Sequence, residues 1–533
     1  MRKPAEIHDR CVFKGDIIGT LIFVGLLLIF LSVRFYSIDT PGPAGDEIYV
    51  PYVALQAKLQ VPSLHPPFVK VFGYKLPLGI SAQSGGFPIY PQFILLHLTE
   101  HPFSHRILSV LYAGVSVIFC YAFIRSFLNN KVALLSVLLF TFMPSHIFYS
   151  RTDPYFILRL TILSFMLYAF HKWYVNKDWK YFYMGCLATG LGLSTRLEMI
   201  MYVFAFPIYL ICFNRKLLND LVITVKQDLI RVKRGLYVFF LGAMCFILFN
   251  IQSPGQLLRL FREESILKKK DLLSGYLINL FGRIEHIKDY FNRGNPFGEI
   301  EGAFFSPIPF YIFLLSLSLV TIVIILKRLR GSPDKKMEFL ILMPILILVQ
   351  SAPSTSMGPF HNLIILPLLV MVLCYGMSLI PRLLGLFPAL LIVVLYINID
   401  IKYFEGLKAH RENPLWSSAV FDLVGYLERE GAKRTLACDW GISRLIFYVS
   451  RGEVTAEEIF GYEETADSFL KKLRENKGRT NYYIFYVKGS SYNRIDAFRT
   501  FIKGERIPYR VTSILDKHGE LIYYVYRLEQ AAR

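Results

Sequence analysis

The 533-residue sequence predicts a polytopic α-helical membrane protein with about eleven transmembrane helices and a C-terminal extracytoplasmic α/β domain. Three observations lead there. Hydrophobic residues make up 54% of the chain and charged residues only 19%, against roughly 25% charged in soluble domains. The apolar residues gather into many runs of span length, not into one anchor. Beyond residue 402 the pattern changes to short strands alternating with helices. An ordinary soluble enzyme, a single-span receptor and a disordered scaffold are excluded.

The apolar runs fall at 17–37, 106–127, 132–149, 155–174, 180–195, 199–213, 234–250, 306–327, 337–351, 361–380 and 383–400. Each can cross ~30 Å of hydrocarbon at ~1.5 Å per residue, the shorter ones marginally. The first run has no small-residue cleavage site, so it reads as a retained span and not a signal peptide. Lys and Arg concentrate in the N-terminal tail (Arg2, Lys3, Arg10, Lys14) and in alternate short loops, such as Arg215/Lys216 with Lys226 to Arg234, and Lys327 to Lys336. With eleven spans these all lie on one side, which predicts a cytoplasmic N-terminus and an outer C-terminus in the plasma membrane. The net charge of +19 is assigned to loops facing anionic membrane lipids. With no Lys/Arg-rich recognition motif, nucleic acid is not expected as a partner. Most of the seven Cys sit in apolar runs, so no disulfide framework is implied, and there is no CxxC or HExxH spacing.

Residues 1–401 thus form a membrane module with large outer loops at 39–105 and 251–305, and residues 402–533 form the outer domain. In that domain 416–430 and 463–477 read as helices and 435–439, 482–487, 509–515 and 521–527 as strands. Asp516-Lys517-His518-Gly519 supplies the last turn.

Unusual polar groups collect at the outer ends of the spans: Asp46-Glu47, His65 and Lys70, Arg106, Arg151 and Asp153, Arg196 and Glu198, and His361. Such groups are costly near hydrocarbon and persist where they face a cavity or one another. A transporter would place them near the midplane, on broken helices. A carboxylate in a partly buried loop can act as base toward a hydroxyl, and nearby Arg, Lys and His suit a phosphate. The plain reading is a loop of solvated acids with interfacial anchors.

Gly45-Asp46-Glu47 followed eighteen positions after Glu47 by His65-Pro66-Pro67-Phe68-Val69-Lys70 resembles the first outer loop of the protein O-mannosyltransferases. That family belongs to the GT-C superfamily, which includes aminoarabinose–lipid A transferases. His105-Arg106-Ile107-Leu108-Ser109, Met143 to Arg151 and Gly190 to Arg196 extend the resemblance over about residues 15–215. It implies an inverting glycosyltransferase that moves one sugar from a polyprenyl (dolichyl or undecaprenyl) phosphate to a hydroxyl. The acceptor would be a glycolipid, a lipid-linked glycan or a protein. Asp46 would be the base and Glu47 its partner in catalysis. Arg106 would bind the donor phosphate, with His65, Lys70, Arg151, Asp153, Arg196 and His361 as further substrate contacts. The 251–305 loop, about 55 residues, is too short for the β-trefoil domain of the eukaryotic members, which leaves the acceptor open. A divalent cation (Mg or Mn) is left open as cofactor. The alternative from another class is a lipid or glycan transporter (flippase) with an outer binding domain.

Overall fold

The computed structural model describes residues 17–61, 67–81, 83–152, 154–257, 271–294, 304–354, 358–409, 414–459, 465–487 and 494–529. The chain opens with helix α1 (Ile17–Phe35), followed by the buried helix α2 (Tyr49–Lys58). Two small antiparallel hairpins come next, β1 (Phe68–Val71) with β2 (Tyr74–Pro77) and β3 (Gly79–Ser81) with β4 (Ser84–Gly85). Helix α3 (Ile89–Leu98) then leads into α4 (Ser104–Phe127).

The helical bundle continues with α5 (Asn130–Phe142), α6 (Pro144–Thr152), α7 (Pro154–Asn176) and α8 (Trp179–Thr195). Asn129 starts α5 by accepting a hydrogen bond from Val132 N, meeting one of the amides a helix start leaves unpaired. Pro144 cannot donate to the preceding turn, and the chain turns by 66° between α5 and α6. A short turn at Leu197–Met199 leads to α9 (Ile200–Phe213), α10 (Arg215–Gln227) and α11 (Leu229–Gln252). Asn214 caps α10 at a 115° break, and no residue of α10 is buried against the protein. The rest of the module is α12 (Leu272–Asn292), α13 (Ile308–Leu329), α14 (Lys335–Ser351), the single turn α15 (Pro359–Asn362), α16 (Leu366–Ser378) and the long α17 (Arg382–Ala409).

Six of the described helices are long and apolar enough to cross a membrane, and the two bent pairs raise this to eight. The other runs of the expected eleven are helical too, but α7 is more polar, and α8 and α14 are only 17 residues each. The protein is an integral membrane protein.

The outer domain comprises α18 (Ala419–Arg429), β5 (Arg434–Ala437), α19 (Ile442–Val449), β6 (Thr455–Glu458), α20 (Ala466–Glu475), β7 (Tyr482–Tyr486), α21 (Arg494–Gly504), β8 (Tyr509–Leu515) and β9 (Leu521–Leu528). Its mixed sheet runs β6-β5-β7-β9-β8, with β5 parallel to both neighbours and β9 antiparallel to β7 and β8. One apolar layer joins the sheet to α18 and α19, and a second joins it to α20 and α21. Sequence reading located four strands and two helices here; α19, β6 and α21 emerge only in the fold. Asp516 closes the last hairpin, its Oδ1 accepting from His518 N and Glu520 N, while Gly519 takes φ +81°.

The two parts share a core. Ile48, Val53 and Leu55 of the first outer loop pack with Val420, Leu445 and Phe447 of the outer domain and with Tyr155 of α7. The backbones also touch. A Cβ on Gly42 would stand 2.1 Å from the carbonyl carbon of Ser417, and one on Gly45 would stand 2.9 Å from Gly441 Cα. The loop therefore needs glycine where the outer domain sits on it. Gly42→Ala is expected to cost about 1–3 kcal/mol through this backbone clash. Thermal unfolding in detergent checks it against Gly25→Ala, whose Cβ meets nothing within 4 Å and which should leave the melting temperature unchanged.

Candidate active site

The first outer loop is set by two buried arginines. A guanidinium carries five N–H donors, and Arg106, near the start of α4, uses all of them inside the chain. Its Nε bonds Glu47 Oε1 and one Nη2 hydrogen goes to Oε2 at 2.9 Å; the others reach the carbonyls of Ile38, Pro41 and Gly42 at 2.8–3.1 Å. Arg151, at the end of α6, donates to the carbonyls of Arg34, Tyr36, Ser37 and Thr40 and packs 4.9 Å from the Phe404 ring centroid. Both were expected as substrate contacts. In the structure both tie residues 34–47 to the bundle through backbone carbonyls.

Glu47 turns to the same tie. It is 2% exposed and accepts from His105 Nε2 at 2.9 Å, from Ala44 N at 3.1 Å and from Arg106. Burial alone would push its carboxyl up, but Arg106 and then His105 outweigh it and hold the pKa at about 2. Glu47, expected as a catalytic partner of Asp46, is bonded within the chain and anchors the segment that carries Asp46.

Asp46 is the opposite case. Its side chain is 72% exposed, yet it stands in a recess walled by α2, the end of α8 and the outer domain. Partial desolvation raises its pKa above the usual carboxylate value, and Arg444 and then Arg196 pull it back. Arg444, on the first turn of α19, brings Nη1 to 4.0 Å from Asp46 Oδ1. Its guanidinium lies 4.3 Å from the Tyr49 ring centroid and 5.9 Å from that of Trp440.

A second group adjoins it. Glu198 is buried and gathers Arg196 at 2.7 Å, Arg159 at 3.9 Å and His361 Nδ1. Arg196 also donates to Gln83 Oε1 at 3.0 Å, which ties the end of α8 to the β3–β4 hairpin. Arg159 donates to Phe360 O at 2.9 Å, and Tyr155 bonds Ser84 Oγ.

Of the residues singled out from sequence, Asp46, Arg196, Glu198 and His361 thus belong to one neighbourhood. Lys70 is exposed on β1, and no contact among the described residues joins it to this group. His65 and Asp153 lie outside the described residues. Sequence reading did not select Arg159, Tyr155 or Arg444. Arg159 had a signal, a lone charge inside an apolar run. Arg444 had none, since only domain docking brings it to Asp46. Among the described residues the groups that act on Asp46 are Arg444 and Arg196, with Tyr49 packed on Arg444. Among the described residues no three His, Cys, Asp or Glu side chains cluster as metal ligands.

Residues 91–226 match the family profile described as Dolichyl-phosphate-mannose-protein mannosyltransferase. No curated protein sequence matches the chain. Among solved structures, the chain is similar to ArnT from Cupriavidus metallidurans bound to undecaprenyl phosphate, with TM-score 0.64, 11% identity, and 95% of this chain and 97% of that one covered. It is also similar to the archaeal oligosaccharyltransferase AglB from Archaeoglobus fulgidus, in complex with an inhibitory peptide and a dolichol-phosphate. There the TM-score is 0.53 at 11% identity, covering 96% of this chain and 74% of that one.

The buried tie has a pH signature. Glu47 has a depressed carboxyl in the fold, so its contribution to stability is present above about pH 4.5, its ordinary value, and is lost as pH falls toward about 2. Arg106→Gln should abolish or reverse that dependence, since burial then pushes the Glu47 carboxyl up, and cost about 3–5 kcal/mol by leaving Glu47 buried without its arginine. Chemical denaturation of both proteins between those pH values measures it.

Proposed function

We propose that this chain, an integral membrane protein with the fold of the GT-C glycosyltransferases, transfers a single sugar with inversion from a polyprenyl phosphate to an acceptor hydroxyl at the outer membrane face. The observation that carries the reading is Asp46, the accessible carboxylate of the recess, flanked by arginines of two different elements. The acceptor hydroxyl gives its proton to Asp46, and its oxygen attacks the anomeric carbon. The bond from that carbon to the phosphate oxygen breaks, and polyprenyl phosphate leaves as an anion. A leaving group that is already a stable anion needs cations around it and no strong acid. With Arg106 and Arg151 committed to the loop, Arg196 fills that role, oriented by Glu198 and backed by Arg159 and His361. Fixed dipoles of this kind are most effective where water is limited, as in a recess between two domains.

The undecaprenyl phosphate of the ArnT structure and the dolichol-phosphate of the AglB structure support a lipid-phosphate donor. The concentration of Lys and Arg in alternate short loops supports a cytoplasmic N-terminus and an outer site in the plasma membrane. No step of this scheme is routed through a metal.

The test is transfer from a panel of radiolabelled polyprenyl-phosphate sugars, mannose, glucose and aminoarabinose among them, to membrane extract by protein in liposomes. Wild type should label lipid-glycan or protein. Asp46→Asn should lower kcat by about 10²–10⁴ while leaving the melting temperature intact. Full activity in a folded Asp46→Asn protein sinks the mechanism. No transfer from any donor by folded wild type moves the reading to a lipid transporter.

A further inference from the structure

The outer domain does more than cover the membrane module. Two residues past its strand β5 stands Asp439, which is buried and held from two directions. Its Oδ2 accepts from Tyr486 N at 2.9 Å, and Arg494 Nη1 donates to its Oδ1 at 2.7 Å and to Cys438 O at 3.2 Å. This anchors the turn through Trp440 to Gly441, whose φ of +81° starts α19 against the backbone of Gly45. Arg444 follows on the first turn of that helix. Its position beside Asp46 is therefore set by buried contacts in the outer domain and by a glycine-to-glycine approach between the two parts.

We propose that Arg444 is a positioning residue for Asp46: it reaches across the domain boundary and holds the carboxylate ionised and aimed into the recess, so that the membrane module's base is competent only with the outer domain docked. The Arg444 guanidinium rests 4.3 Å from the Tyr49 ring centroid and 5.9 Å from that of Trp440, its side chain is only 20% exposed, and its one ion pair among the described residues is with Asp46 at 4.0 Å. The other groups facing Asp46 do not duplicate it. Arg196 comes from the end of α8 and is paired with Glu198. The Tyr49 hydroxyl on α2 is pushed up by burial and stays neutral. On α7, Tyr155 is bonded to Ser84. Glu47 is committed to Arg106 and His105, and Glu458 on β6 accepts from Ser443.

The proposal rests on the reading of Asp46 as a base, and two readouts separate the two ideas. One needs no activity. Asp46 is exposed enough for a carbodiimide with an amine nucleophile, which reacts with the protonated carboxyl; tagging of its peptide against pH, followed by mass spectrometry, gives the titration midpoint. Arg444→Met should move that midpoint to higher pH. Arg444→Lys should keep it near the wild-type value. So should Arg451→Ala, which removes a peripheral contact of the docked domain to Glu100. The second readout is kcat/KM for whichever polyprenyl-phosphate sugar wild type transfers. Arg444→Met should move the acid limb of its pH profile upward and lower it roughly fivefold on the acid side, with Arg444→Lys restoring both. An unmoved midpoint in folded Arg444→Met overturns the proposal even if transfer by wild type is robust. If no donor is used, the tagging curve alone still decides whether Arg444 controls Asp46.

Discussion

The bidentate pair between Glu47 and Arg106 is the constraint on which the outer face depends. Two opposite charges taken out of water are stable only when every remaining donor and acceptor is met. Here the remaining donors of Arg106 meet the carbonyls of Ile38, Pro41 and Gly42, and Glu47 accepts from His105 and Ala44. The loop's path follows from that accounting. Asp46, one residue from the tie, is left exposed beside Arg444, so the two adjacent acids have opposite surroundings, one buried and saturated and the other open.

The arginines divide in the same way. Arg34, Arg106 and Arg151 spend donors on backbone carbonyls, and Arg106 also pairs with Glu47 and Arg34 bonds the His146 ring, so they fix the chain. Arg159 and Arg196 converge on Glu198, which compensates part of their charge but leaves a net positive cluster near Asp46. On the proposed reading, a lipid phosphate would need that balance of enough positive charge to hold an anion and enough internal pairing to keep the cations in place.

Much of this was legible in the chain. The alternation of apolar runs announced the bundle, because hydrocarbon admits only helices with satisfied backbones. The Asp46-Glu47 pair and the polar residues at span ends marked the face where chemistry is expected. The helix lengths were less legible: Pro144 bends the 132–149 run into two helices, the unanticipated α10 follows α9 at a sharp break, and α7 carries Arg159 near the start of its apolar stretch. In the outer domain, strands with clear alternation were found, whereas β6, reading Thr-Ala-Glu-Glu, has no apolar pattern and is a strand only because β5 pairs with it.

The sequence by itself determined that this is a membrane-embedded helical bundle with a C-terminal α/β domain, and it flagged acids and cations near the ends of apolar runs. Those facts rest on local composition and period, which a linear chain displays. Tertiary structure alone decided which charges cancel. Arg106 and Arg151 face inward to carbonyls distant in the chain, while Arg444, about four hundred positions from Asp46, comes to its side. Charge pairing is a property of distance in space, and the docking of two hydrophobic surfaces, with glycine against glycine, sets that distance.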